Sequence, residues 1–337
     1  MIVPFTRTTL GEEEKKAMAD VIDSGWVVMG PKTQEFEEQF AEYVGSDYAI
    51  FVDSGTAALF LSLKYLDIKG EIAVPSLTFA STAEVIVNSG AIPHFYDVDL
   101  KTFNLEFAPI VAIPVHLMGR KSGLDALMYD SAHRIEKDDL KEDDGALWCY
   151  SFYATKNLTT INGGMIATNN KNAAEWLKKA RDHGISKGTT ERYKEGKWEY
   201  SVDFVGWRFK ADDVRAAIGL EQLKKLPENT QKRNDIVKRY NSLLGLNRVG
   251  NHIFPLLVQK RSKFIEFLRS RGIQASVHFL PVHKMSAYSD YAVGVSLPNT
   301  DFLGDRLVSL PLYPQMTEAE IDYVVKTVKD SNLMIQE

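Results

Sequence analysis

From residue 48 onward, short apolar runs alternate with longer stretches of helical periodicity. "YAIFVDS" (48–54) reads as a strand and "GTAALFLSLKYL" (55–66) as a helix. "EIAVPS" (71–76) is the next strand, followed by a helix over "TFASTAEVIVNSG" that Gly90 ends. "AIPHFYDVD", "IVAIPVHLMG" and "ALMYDSAH" are strand candidates with polar carboxyl ends. "ALWCYSFYATK" and "GGMIATNN" follow as another strand pair. Such alternation predicts an α/β fold with a mostly parallel sheet, whose ligands gather at the carboxyl ends of the strands.

The pattern changes near residue 211. "ADDVRAAIGLEQLKKLPENTQKRNDIVKRYNSLL" reads as a long amphipathic helix interrupted near Pro227. A strand-like "HIFPLLVQ", a basic helix "KRSKFIEFLRSRG" and the segment "IQASVHFLPVH" come next. A final helix starts at Thr317, with Glu320 completing a capping box. We therefore expect a large domain over 1–215, including an N-terminal arm, and a smaller α+β domain over 216–337.

Composition narrows the function classes. The 337 residues are 45% hydrophobic and 25% charged, as in an ordinary soluble globular protein. A formal net charge of −5, with no Lys/Arg-rich block, gives no reason to expect nucleic acid. No apolar run approaches the ~20 residues of a membrane helix, and the N-terminus lacks the apolar core of a signal peptide. A cytoplasmic location is the resulting expectation. With Cys149 the single cysteine, an internal disulfide and a cysteine-based metal cluster are excluded. No Walker-type loop and no His/Cys ligand set is present, so no metal is expected.

Candidate chemistry sits just after the strands. Ser54, Gly55 and Thr56 stand where a strand hands over to a helix. There, amides and hydroxyls converge on an anion such as phosphate, or simply cap the helix. Asp130 is open to three readings: a turn residue, a metal ligand, or a carboxylate that pairs with a protonated ring nitrogen. His133 would then reach a ring substituent, or be a structural histidine. Lys156 lies among small hydroxyl residues in "SFYATKNLTTINGGM" (151–165). It is either a solvent-facing loop lysine or an amine of lowered pKa that forms a Schiff base. Ser151 and Thr155 could share the phosphate, and Gly163-Gly164 would let backbone approach closely. Spacing alone makes Phe79 a core phenylalanine. A phosphate nest, a carboxylate for a ring nitrogen and an imine-forming lysine are together the handles that pyridoxal 5′-phosphate (PLP) requires.

These motifs carry a resemblance to the DegT/StrS-type nucleotide-sugar aminotransferases, PLP enzymes of fold type I in the aspartate aminotransferase superfamily. "SFYATKNLTT…GGM" resembles the cofactor-lysine motif of that family. "VPFTRTTLGEEEKKAMADVIDSGWVVMGPKTQEFEEQFAEYVG", "DSGTAAL", "VPSLTFASTAEVIVNSGAIPHFYDVD", "IPVHLMGR" and "YDSAH" follow the family order. So do "RDHGIS", "GWRFKADDVRAAIGLEQLKKL", "SVHFLPVH" and "SLPLYPQMTEAEIDYV", and the resemblance runs nearly end to end.

The resemblance implies a large domain with a mostly parallel, seven-stranded-type sheet between helices. It implies that Lys156 holds PLP and that Asp130 pairs with the pyridinium nitrogen. Ser54, Gly55, Thr56 and Ser151 would bind phosphate, Phe79 would stack on the ring, and His133 would stand near the ring hydroxyl. A homodimer would share active sites, "GWRFK" crossing from the neighbour with Arg208 on the phosphate. Trp26, Met29, His278 and His283 are the implied substrate contacts, with His183 either functional or structural. The implied reaction moves an amino group from an amino acid, glutamate by family habit, to a keto group of a nucleotide-linked deoxy sugar. Two alternatives stand beside it: a PLP-dependent sugar dehydratase of the same fold, or a non-catalytic PLP-binding homodimer. The dehydratases carry histidine in place of the lysine, so Lys156 argues against the first.

Three departures from the family pattern remain. Arg208 replaces a usual asparagine, and an arginine still binds phosphate, bidentately. Ile161-Asn162 replaces a usual Gly-Glu. The segments between Asn104 and Ile113 and between Gly119 and Tyr129 are too short for their usual helices.

Overall fold

The computed structural model describes residues 1–186, 196 and 198–335. Its central layer contains β1 (Tyr48–Val52), β2 (Glu71–Pro75), β3 (Ile92–Tyr96), β4 (Met128–Asp130), β5 (Leu147–Ser151) and β6 (Gly164–Thr168). A four-stranded sheet runs β1-β6-β5-β4, and β2-β3 form a parallel pair. Residues 111–116 bridge the two. The Ala73 amide donates to the Val111 carbonyl and the Ile113 amide to the Ala73 carbonyl; on the other edge the His116 amide donates to the Asp130 carbonyl. This segment was expected as a full strand. Pro114 supplies no amide, so the ladder shrinks to isolated bridges there. β6 is antiparallel to both neighbours, while β2–β3, β4–β5 and the two bridges of residues 111–116 are parallel. The carboxyl ends of β1, β2, β4 and β5 therefore share one edge.

The strands are near-continuous apolar runs because both faces are covered. Their period of two sorts the side chains cleanly. Ile50, Val52, Leu147, Cys149 and Ile166 enter one core with the helix Gly55–Leu66, and Phe51, Trp148, Tyr150 and Met165 enter another with the helix Pro31–Val44. A further core joins the ends of the chain, where β7 (Phe254–Leu257) and β8 (Leu307–Leu310) pack with Tyr240, Phe264 and Val324, and with Val3 from the N-terminus.

The expected break near Pro227 does not occur. The helix Asp213–Leu244 is continuous through it. A proline deprives the carbonyl four residues earlier of its donor, at roughly 3 kcal/mol. Burial on both sides offsets this: Leu220, Leu223 and Leu226 lie in the core under the sheet, and Ile236, Val237 and Tyr240 in the C-terminal one. The final helix, Glu318–Asp330, has the expected box, with Thr317 Oγ1 accepting from the Glu320 amide and Glu320 accepting from the Thr317 amide.

One buried carboxylate ties the N-terminal loop to this frame. Asp213 accepts from the amides of Gly30 (2.7 Å), Lys32 (3.0 Å) and Thr33 (2.9 Å) and from the Thr33 hydroxyl (2.7 Å). Those amides are the orphan donors of the helix Pro31–Val44, which otherwise has no side-chain cap. Asp213→Ala strands the buried amide and hydroxyl of Thr33 and is expected to cost about 2–3 kcal/mol. A denaturant-unfolding midpoint that does not move would contradict this.

Candidate active site

The carboxyl ends of the strands and loops from the C-terminal part enclose a cavity of about 510 Å³. At its floor, β1 runs into the helix Gly55–Leu66. The Ser54 hydroxyl accepts from the Ala57 amide at 3.1 Å, so Ser54 does cap the helix. Ser54, Gly55 and Thr56 nevertheless also line the cavity, where the first-turn amides of the helix lie. Gly164 makes this approach possible: a Cβ there would lie 2.3 Å from the Ser54 carbonyl oxygen. Ser151 and Thr155 face the same space.

Asp130 ends β4 and is 4% exposed. Its Oδ1 accepts from the Ala132 amide at 3.0 Å and its Oδ2 from the Thr82 hydroxyl at 2.8 Å. Burial pushes its pKa up, and those two donors and Lys156 act against the rise. Lys156 is placed by the β5–β6 connection. The Phe152 amide donates to the Gly163 carbonyl, the Thr160 amide to the Phe152 carbonyl and the Lys156 amide to the Tyr153 carbonyl. The Lys156 side chain is half-buried along the cavity. Surrounding protein lowers its pKa to about 8, against the opposing pull of Asp130.

Aromatic groups form the opposite wall. Phe79, 60% exposed, lies 5.9 Å from Phe279, which stacks on His133 at 5.7 Å. Phe79 is thus no core residue, contrary to what spacing alone suggested. His133 also meets His252 at 4.2 Å. Burial, reinforced by the charge of Lys156, lowers the pKa of His133 and His252 and brings His278 down to about 4. All three rings are therefore neutral at physiological pH.

Of the residues singled out from sequence, Ser54, Gly55, Thr56, Phe79 and Asp130 thus share one cavity with His133, Ser151, Lys156 and His278. Four do not line it within one chain. Trp26 and Met29 lie on the loop between the helices Glu12–Asp23 and Pro31–Val44. His283 is held by the Ser76 hydroxyl at 2.6 Å and by Asp301 at 3.2 Å. Arg208 is exposed. His183 lies apart, its amide donating to the Trp207 carbonyl. Sequence reading missed His252, Thr82 and Asn162. His252 arrives on a strand-like segment from the far end of the chain, and Thr82 looks like an ordinary helix residue. Among the described residues no group of His, Cys, Asp and Glu could hold a metal, and no helix is long and apolar enough to cross a membrane.

The Ile161-Asn162 departure has a structural consequence. Ile161 has φ of 70°, a left-handed conformation that β-branched residues avoid, and is 50% exposed. Ile161→Gly relieves about 1–2 kcal/mol of backbone strain while losing little packing. After glycine's entropy cost, a thermal midpoint equal to or above wild type is expected; a clear drop would show that Ile161 packs against something that one chain does not reveal.

Residues 8–329 match the sequence model of the DegT/DnrJ/EryC1/StrS aminotransferase family. The chain belongs to that family. Among curated relatives, an uncharacterized protein of Methanocaldococcus jannaschii, MJ1066, is 37% identical over 374 aligned positions that span 97% of each chain. The spore coat polysaccharide biosynthesis protein SpsC of Bacillus subtilis is 34% identical, spanning 97% of this chain and 96% of its own. Among solved structures, the putative sugar aminotransferase Spr1654 of Streptococcus pneumoniae superimposes with a TM-score of 0.88 at 25% identity, covering 98% of this chain and 97% of that one. That protein has been solved in apo, PLP and PMP forms. The fold of this aminotransferase is the α/β, fold type I arrangement expected from its motif order.

Proposed function

We propose that this family member is a PLP-dependent aminotransferase that moves an amino group from an amino acid, glutamate in the first instance, to a keto group of a nucleotide-linked deoxy sugar. The observation carrying the reading is the Lys156 amine. It lines the same cavity as the helix start at Gly55 and the carboxylate of Asp130, and no hydrogen bond or ion pair of its Nζ is seen among the described residues. The residues fit the cofactor: Gly164 keeps an anion cradle open, Asp130 offers a buried charge, and Phe79 presents an open ring face.

When bound, the cofactor supplies an aldehyde for amine exchange and an electron sink for the carbon losing its proton. The protein does the rest. The amides of Gly55 and Thr56, with the hydroxyls of Ser54, Ser151 and Thr155, would receive phosphate at the positive end of the helix. Phe79 would cover the ring and Asp130 would hold the ring nitrogen protonated. His133, neutral, can exchange a hydrogen bond with a ring hydroxyl. Lys156 Nζ would attach the aldehyde, and after displacement by the amino donor it would take the proton from the donor's α-carbon and return it. Arg208 is proposed to bind phosphate from a second copy in a homodimer, with the loop at Trp26 and Met29 and the histidines 278 and 283 assigned to substrate. We further propose two working portions, 1–215 and 216–337, and a cytoplasmic site of action. Supporting a sugar acceptor are the polysaccharide-biosynthesis name of SpsC and the sugar aminotransferase description of Spr1654.

The test is spectroscopic and then preparative. Protein loaded with PLP should change its visible absorption on adding glutamate, and the aminated form should then turn over a panel of nucleotide-linked 3-keto and 4-keto sugars. If glutamate and other amino acids all leave the spectrum unchanged, the assignment fails.

A further inference from the structure

We infer that Thr82, backed by Thr78, is a positioning residue that keeps the Asp130 carboxylate charged and aimed into the cavity. This rests on the reading of Asp130 as partner of the cofactor's ring nitrogen. Thr82 and Thr78 are 0% and 1% exposed. The Thr82 hydroxyl lies 2.8 Å from Asp130 Oδ2 and 3.0 Å from the Thr78 hydroxyl. An ionised carboxylate only accepts, so the Thr82 proton points to Asp130. The competing acceptor, the Phe79 carbonyl, is farther away at 3.3 Å. The Thr82 oxygen is then free to accept from Thr78, and two hydroxyls line up behind one carboxylate, each strengthening the next.

The arrangement answers a physical problem. Asp130 is buried, and burial favours its neutral form, which would donate a hydrogen bond to an unprotonated ring nitrogen instead of accepting one from a protonated ring nitrogen. Lys156, the nearby positive charge, acts on the carboxylate only at a distance, whereas the Ala132 amide and the Thr82 hydroxyl donate to it directly. Each occupies a different oxygen, which also fixes the plane of the group. The sequence "TFAST" makes this possible: Thr78 stands in the bend before the helix Ala80–Ser89 and Thr82 in its first turn, and the chain reversal between them brings their hydroxyls together.

The test compares PLP with its analogue carrying a carbon in place of the ring nitrogen, measuring the affinity of the cofactor-free protein for each. Wild type should prefer PLP. Thr82→Val, nearly isosteric, should reduce that preference roughly tenfold, the worth of a hydrogen bond to a charged group, while Thr82→Ser should retain it within about twofold. A loss below about threefold in Thr82→Val overturns the inference. Asp130→Asn separates this from the underlying reading. If it abolishes the preference and Thr82→Val does not, Thr82 alone is misassigned; if it too leaves the preference intact, the role of Asp130 falls and the inference with it. Should Thr82→Val fail to fold, Thr78→Val is measured instead, where an unchanged preference overturns the relay.

Discussion

Lys156→Ala is expected to lower transamination by about 10⁴-fold, because one side chain supplies both the attachment point and the proton carrier. The variant should still bind PLP through the phosphate cradle, but borohydride should no longer fix the cofactor to the chain. Lys156→Arg should behave alike, since a guanidinium stays protonated. The wild-type reaction carries a further signature in its pH dependence. The attacking species is the neutral amine, and the pKa of Lys156 is lowered to about 8. Below that pH the amine is mostly protonated and inert, so the rate of covalent loading should climb through about pH 8 and level off above it. At pH 7 about one molecule in ten is reactive, against about one in a few thousand for an ordinary lysine. A loading rate still rising steeply at pH 10 would show that the amine is not desolvated.

Asp130→Asn should be the second most damaging change, costing on the order of 10²–10³ in kcat, comparable to removing a preorganised electrostatic partner from an active site. The amide is close to the carboxylate in shape: its oxygen can still accept from the Ala132 amide, and its NH2 can donate to the Thr82 hydroxyl, which rotates to accept. Folding should therefore survive, and the loss should lie in kcat more than in KM. What disappears is the negative charge that keeps a ring nitrogen protonated. The bound cofactor of the variant should accordingly show a shifted absorption band and pH titration. A variant with wild-type kcat and an unaltered spectrum would remove Asp130 from the mechanism.

Much of this was open to reading before any coordinates. Periodicity placed β1, β5, β6 and the helices after β1 and β2, because two covered sheet faces demand unbroken apolar runs and an amphipathic helix demands its stripe. The segment 111–116 misled, since its composition is strand-like while Pro114 denies it a ladder. Pro227 misled in the other direction, because local propensity counts the missing amide and cannot count the two cores that keep the helix continuous.

By itself, then, the sequence determined the α/β pattern and the family and marked a lysine and a carboxylate as candidates, since these are recorded in residue type, order and spacing. Only the tertiary structure decided that Phe79 faces open space, that Ser54 both caps a helix and reaches the cavity, and that His252 and Thr82 stand behind His133 and Asp130. The reason is distance along the chain. His252 lies 119 residues beyond His133 and Thr82 lies 48 before Asp130. No local propensity encodes such meetings; the packed sheet and the returning C-terminal segments do.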